Sequence, residues 1–219
     1  MEYWFQLYLN FLICFISSSF LCFIVDVNSE VIKYNEKKII QFKYQPTSII
    51  ILKNQYKFIY PRVLVNILLI SPMFFRCLIN NYILNNDFVF TDLLYILLAG
   101  CLIDIFFYAF HRIMHHPILY ELSHKIHHKF KTPVGMESVY HHWFDLCFSN
   151  ILPIFLSLWI LQVRSIQIWH LWVSLSTFFT VIVAHSGWIK DSHNDHHKLY
   201  SKYFGTGVFM DKLFDTCKF

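Results

Sequence analysis

With 219 residues, 56% hydrophobic and 20% aromatic content and a mean hydropathy of +0.45, the chain has the length of one domain and too much apolar surface for an ordinary soluble protein. A formal charge of +4 is modest, so no nucleic-acid partner is expected and the placement of charge matters more than its sum. Six cysteines (Cys14, Cys22, Cys77, Cys101, Cys147 and Cys217) lie scattered with no CxxC pair, mostly in apolar runs, and read as reduced small hydrophobes.

In chain order, residues 4–25 form a first apolar stretch about long enough for a bilayer core. Its flanks lack the basic start and small-residue cleavage site of a signal peptide. A polar segment follows from Asp26 to Tyr60, with Lys33, Lys37, Lys38, Lys43, Lys53 and Lys57, then Pro61 and Arg62; its short run Ser48 to Leu52 suits an interfacial helix. Residues 63–84 predict a second span kinked at Pro72 and interrupted by Arg76. After the brief loop 85–88, residues 89–110 predict a third span that runs straight into histidines. Residues 146–162 and 166–184 predict a tight helical hairpin. The expected fold is therefore all-α, an integral membrane helical bundle of four to five spans. Residues 1–88 hold the N-terminal spans and basic segment, and 89–219 the histidine-bearing part.

Charge orients these spans. Lys and Arg number seven between Lys33 and Arg62, four between Arg112 and Lys131, and five between Lys190 and Lys218, against none in 85–88 and one in 162–165. The positive-inside tendency puts the three basic segments together in the cytosol, and every histidine cluster with them.

Eight of the thirteen histidines fall between His111 and His142, as HRIMHH, HKIHH and VYHH; His185 and then HNDHH follow near the C-terminus. Residues four apart on a helix share a face, so His111 and His115 can reach one metal. His124, His127 and His128, like His193, His196 and His197, combine spacings of three and four, so each triplet offers two or three imidazoles on one stripe. Imidazole suits iron, zinc, copper and nickel. Ten candidates, with His142 and His185 added, exceed what one ion can use and suit two. His116, His141 and His170 read as interfacial or capping residues, since the first two sit beside better-placed neighbours and the third stands alone in an apolar span. Asp104 lies two turns before His111 on the same face of the third span. A carboxylate at that depth is costly unless paired, and ligand histidines commonly donate their second N–H to one; it is the candidate support for a ligand. Asp145, Asp191 and Asp195 flank the histidines in more polar surroundings.

HRIMH, HKIHH and HNDHH resemble the HxxxH, HxxHH, HxxHH boxes of the fatty acid hydroxylase/sterol desaturase superfamily, closest to its sterol 4-methyl oxidase-like members. HKIHHKFKTPVGMESVYHH resembles the segment running to the family's AHP motif, AHSG at 184–187 its HSG element, and DKLFDT at 211–216 its D-x-L-F-G-T. The resemblance covers roughly residues 90–217. It departs at His141 and Trp143, which replace the alanine and proline of AHP, and at Asp215, which replaces the glycine. It implies a cytosolic helical cap carrying a di-metal site with ligands His111, His115, His124, His127, His128, His193, His196 and His197, joined by His142 and His185. It implies two iron ions, a sterol or fatty-acyl substrate oxidised by O₂, and electrons from NAD(P)H through a b-type cytochrome or a reductase, since no flavin or nicotinamide fingerprint occurs here. It also implies the endoplasmic reticulum or an equivalent internal membrane. A zinc-dependent membrane lipid hydrolase of the ceramidase type, or a catalytically silent membrane partner, are the competing expectations; two irons or one zinc separate the enzymes.

Overall fold

The computed structural model describes residues 2–35, 49–187, 192–207 and 209–217. Lys37, Lys38, Lys43, Ser48, Lys190, Asp191 and Lys218, named above, lie outside them.

Helix α1 (Tyr3–Asn35) is followed by α2 (Ile49–Val65), which continues through a π turn (Asn66–Ile70) into α3 (Ser71–Ile79). The second membrane helix thus starts earlier and ends sooner than the expected 63–84. Pro61 lies within α2, and Pro72, where a kink is expected, lies at the start of α3. Pro72 falls in the first turn of α3, where its missing N–H costs little, and the wider π turn just before it absorbs the mismatch. Helix α4 (Leu94–Met114) follows a 3₁₀ turn (Phe90–Leu93) and carries His111 inside its last turn.

Short pieces come next: α5 (Pro117–Leu122), then 3₁₀ turns His124–Lys129 and Gly135–Val139. The one-turn helix α6 (Trp143–Asp145) runs through a π turn (Leu146–Ile151) into α7 (Leu152–Ile160). Helix α8 (Ile166–Phe178) ends in a third π turn (Phe179–Ala184), and α9 (Ser192–Leu199) and α10 (Phe209–Leu213) complete the chain.

Among the described residues, five helical stretches are long and apolar enough to cross a bilayer: Tyr3–Asp26, Asn54–Ile79, Phe90–Met114, Trp143–Ile160 and Ile166–Ala184. Their outward faces are apolar, with Ile13, Phe20, Leu69, Met73, Leu97 and Phe179 exposed, as lipid-facing helices require and water-facing ones do not. Inside, α1 packs against α3 and α8, and α4 against α7. Phe75 meets Phe155 edge-on at 4.9 Å, and Trp169 is fully buried, its indole N–H donating to Val163 O at 2.8 Å. At the end remote from the histidines, two loops join through the backbone: Asn85 N–H donates to Arg164 O, and Ile166 N–H to Asn85 O. Both sparsely charged connections therefore lie at one end of the bundle and the histidines at the other.

Candidate metal centre

Nine histidines converge in two groups. In the first, one ring nitrogen each of His111, His115, His124, His128 and His196 lies within 4.8 Å of the others; in the second, the same holds for His127, His185, His193 and His197. All but the half-buried His115 are buried.

The division follows from helical geometry. Partners four apart go together, as with His111/His115, His124/His128 and His193/His197, while the residue at the third position crosses to the other group. His127 leaves HKIHH for the second group, and His196 leaves HNDHH for the first. Each HxxHH box thus keeps two imidazoles on one stripe and sends the third to the other group. HKIHH achieves this from a 3₁₀ turn rather than an α-helix.

Oxygen acceptors fix the rings from behind. His111 Nδ1 lies 2.9 Å from Phe204 O, His196 Nδ1 2.6 Å from Lys202 O, His185 Nδ1 2.7 Å from Thr180 O, and His124 Nδ1 2.9 Å from Asp145 Oδ2. Each Nδ1 must carry the proton to donate, which leaves Nε2 as a lone pair. In the first group the lone pairs of His111 and His124 face each other, and the Nε2 atoms of His115, His128 and His196 crowd around them. His111 Nε2 is 3.1 Å from His124 Nε2, which is itself 3.1 Å from His115 and from His128; His196 Nε2 is 3.0 Å from His115 and from His128. Lone pairs at that separation repel unless a shared Lewis acid lies between them. Two nitrogens held about 2.1 Å from one metal at right angles would sit about 3.0 Å apart. In addition, Nδ1 of His127, Nδ1 of His128 and both ring nitrogens of His197 are buried with no hydrogen-bond partner among the described residues. An all-imidazole donor set of five and four fits two ions of a first-row transition metal such as iron, and five nitrogens exceed the four ligands of a structural zinc site.

Burial sets the electrostatics. It is the largest cause holding His115, His127, His128, His193, His196 and His197 well below the usual histidine range, and neighbouring imidazoles add to it. Burial also pushes His185 down to about 3. Neutral imidazoles are the form that binds metal.

Two positions differ from the sequence expectation. His142 is not brought into either group: it caps α6, where its Nδ1 accepts the Phe144 N–H at 3.4 Å. The neighbouring His141, read as a bystander, stacks on His127 with ring centroids 3.9 Å apart. Its Nδ1 lies 2.8 Å from Asp145 Oδ2, and its Nε2 3.2 Å from Ser138 O. The buried Asn66 of the first π turn donates to Val139 O and His141 O, holding this segment from α2–α3.

Asp104 is buried, yet it reaches no imidazole; the carboxylate that does is the fully buried Asp145, bonded also to Ser149 Oγ at 2.5 Å. A usable signal existed, because His141 and Asp145 stand four apart, like His111 and His115. Asp104 instead accepts from Gly207 N at 2.6 Å and Met210 N at 3.1 Å, while Asp211 accepts from Phe204 N and Gly205 N, both at 2.8 Å. The two carboxylates pin residues 204–207 and Met210, and the Lys202 and Phe204 carbonyls of this stretch orient His111 and His196. Glycine is required within it: a Cβ on Gly205 would come within 2.6 Å of Asp104 Oδ1 and 3.0 Å of Asp211 Oδ2. His116 is exposed, and His170 lies on α8 in neither group.

A family model for fatty acid hydroxylase matches residues 96–216, more than half of the chain. Among curated proteins the chain is 30% identical over 119 residues to fatty acid hydroxylase domain-containing protein 2 of Homo sapiens, covering 52% of this chain and 35% of the relative. It is 34% identical over 126 residues to fatty acid hydroxylase ahd1 of Mycosarcoma maydis, covering 52% and 31%. It is also 33% identical over 135 residues to methylsterol monooxygenase 2-2 of Arabidopsis thaliana, covering 52% and 49%. The chain thus spans about a third to a half of these relatives' length. No solved structure matches it.

Proposed function

The chain belongs to the fatty acid hydroxylase family, and from that premise we propose that it is a membrane-embedded di-iron oxygenase hydroxylating a C–H bond of a sterol or fatty-acyl lipid with O₂ and two electrons. The observation that carries this reading is the split donor set, five and four imidazoles in adjoining groups with opposed lone pairs. His111, His115, His124, His128 and His196 would hold one iron, and His127, His185, His193 and His197 the other. Bound there, iron supplies the oxygen chemistry that an unactivated C–H bond needs and that side chains lack.

The protein's own contributions are orientation and exclusion of water. Asp145, Thr180 O, Lys202 O and Phe204 O fix four imidazoles in the metal-binding tautomer. Ile103, Phe107, Phe179 and Val183 wall a cavity of about 90 Å³ directly beside the histidines. A separate cleft of about 520 Å³, lined by His115, Tyr120, Tyr200 and Phe204, gives the first group a second opening. There a b-type cytochrome or reductase would deliver electrons drawn from NAD(P)H. The basic residues Arg112, Lys125, Lys129, Lys131, Lys198 and Lys202, near the histidine end in sequence, favour a cytosolic site, and the family reading favours the endoplasmic reticulum or an equivalent internal membrane. A zinc hydrolase uses about three protein ligands and an open position, fewer than either group offers.

The test is turnover by iron-loaded protein given a reductase system, sterol and fatty-acyl lipids, and isotopically heavy O₂. Product carrying one heavy oxygen atom supports the proposal. Hydrolysis products, or none from protein that holds both irons, would reject it.

A further inference from the structure

Beside the small chamber at the histidines lies a second, much larger one. About 670 Å³ in volume, it is bounded by α4 (Ile96, Gly100, Ile103) on one side and α8 (Trp172, Leu175) on the other, with Phe209 across its end. Helix α4 packs mainly on α7 and only lightly on α8, which leaves this space between them. Gly100, Cys101, Ile105 and Phe179, all on its wall, are exposed on membrane-spanning segments, so the space opens sideways toward the bilayer. Ile103, Phe179, Thr180 and Thr206 line both chambers and form the throat between them.

The two chambers differ in chemistry. The outer wall is almost wholly apolar, and its one carboxylate, Asp104, is occupied by the backbone of Gly207 and Met210. The inner wall adds Ser149, Asn150 and the imidazoles. An amphiphile minimises its cost by leaving its apolar body outside and directing its polar end inward. The inner chamber's volume is that of a few heavy atoms, so neither a whole acyl chain nor a sterol ring system fits within it.

We propose that this is a lateral lipid portal: a lipid with a long apolar body and one small polar end slides in between α4 and α8, and only its polar end passes the throat to the histidines. Oxidation then falls on carbons adjacent to the polar group rather than at the far end of the body. That last assignment rests on the oxygenase reading; the binding of lipid in the portal does not.

Gly100 offers a clean plug, because a Cβ built on it meets nothing within 4 Å. The test uses full-length metal-loaded protein in phosphatidylcholine nanodiscs. The probes are fatty acids with a photoreactive diazirine near either the carboxyl or the methyl end, and a sterol with a diazirine in its tail. Methyl-end and sterol-tail probes should label residues 96–105 and 172–179, and the carboxyl-end probe residues 149–154 and 179–184. Gly100→Trp should cut labelling by the probes about tenfold or more while metal content and melting temperature stay at parent values, and Gly100→Ala should label like the parent. Cys101→Trp, also on an exposed wall position, is the second plug if the first misfolds. Labelling by only the fatty-acid or only the sterol probes identifies the lipid class. Unchanged labelling in both plugged variants, reversed ends, or labelling elsewhere overturns the portal. Portal labelling in a protein that makes no oxygenated lipid upholds the portal and rejects the reaction.

Discussion

Asp145 Oδ2 sits 2.9 Å from His124 Nδ1 and 2.8 Å from His141 Nδ1, so one buried carboxylate serves a ring of the first histidine group and the ring stacked on the second. Replacing it by Asn keeps the volume but removes the charge and presents an N–H₂ or a weaker acceptor to His124. Asp145→Asn should weaken metal binding in the first group by about 10- to 100-fold and leave the second within a few-fold. Competition with a chromophoric chelator measures both. Equal loss at both groups would mean that Asp145 supports the fold rather than one centre.

The crossing of His127 and His196 predicts a pattern that adjacency in sequence does not. His128→Ala should remove metal from the first group and His127→Ala from the second, although the two are neighbours. Each variant should retain one ion. His142→Ala and His116→Ala should retain both, because neither ring is in a group. Metal analysis of the four purified variants checks this.

The strap of residues 202–207 is held by Asp104 and Asp211. Asp104→Ala strips acceptors from the Gly207 and Met210 amides and should cost about 1–3 kcal/mol per buried donor left unsatisfied. It should also loosen metal in the first group, where the strap's carbonyls hold His111 and His196. Gly205→Ala should act alike through its clash with Asp104. Melting temperature and chelator-induced metal release report the two effects separately.

Acid should destabilise the metal-free protein. Burial keeps His127, His128, His193, His196 and His197 neutral in the fold, whereas the unfolded chain takes up protons near pH 6.5. Below about pH 6.5 the unfolded state binds more protons, so stability falls as pH falls, through the window down to about pH 3 set by His185. Melting curves of chelated protein in detergent from pH 8 to pH 5 should shift steadily downward. A flat profile would mean that these imidazoles are solvated.

The sequence carried the membrane spans and the histidine groups because both are local periodicities. Length and hydropathy mark a span, and a spacing of four marks a shared face. It did not carry the choice between His141 and His142, which depends on the chain leaving a 3₁₀ turn at Val139 and being anchored by Asn66, some seventy residues earlier. Nor did it reveal that Asp104 pins a backbone strap, since that contact spans more than a hundred residues. The second helix starts earlier than expected because the lysine-bearing stretch before Val63, polar enough to read as a connecting segment, is helical from Ile49 onward.

The most direct measurement of the central claim is metal stoichiometry by mass spectrometry on detergent-purified protein prepared under reductant, with iron and zinc both supplied. Two irons per chain, lost one at a time in His128→Ala and His127→Ala, is the predicted result. A single zinc retained in both variants, or no bound metal at all, would contradict a split di-iron centre.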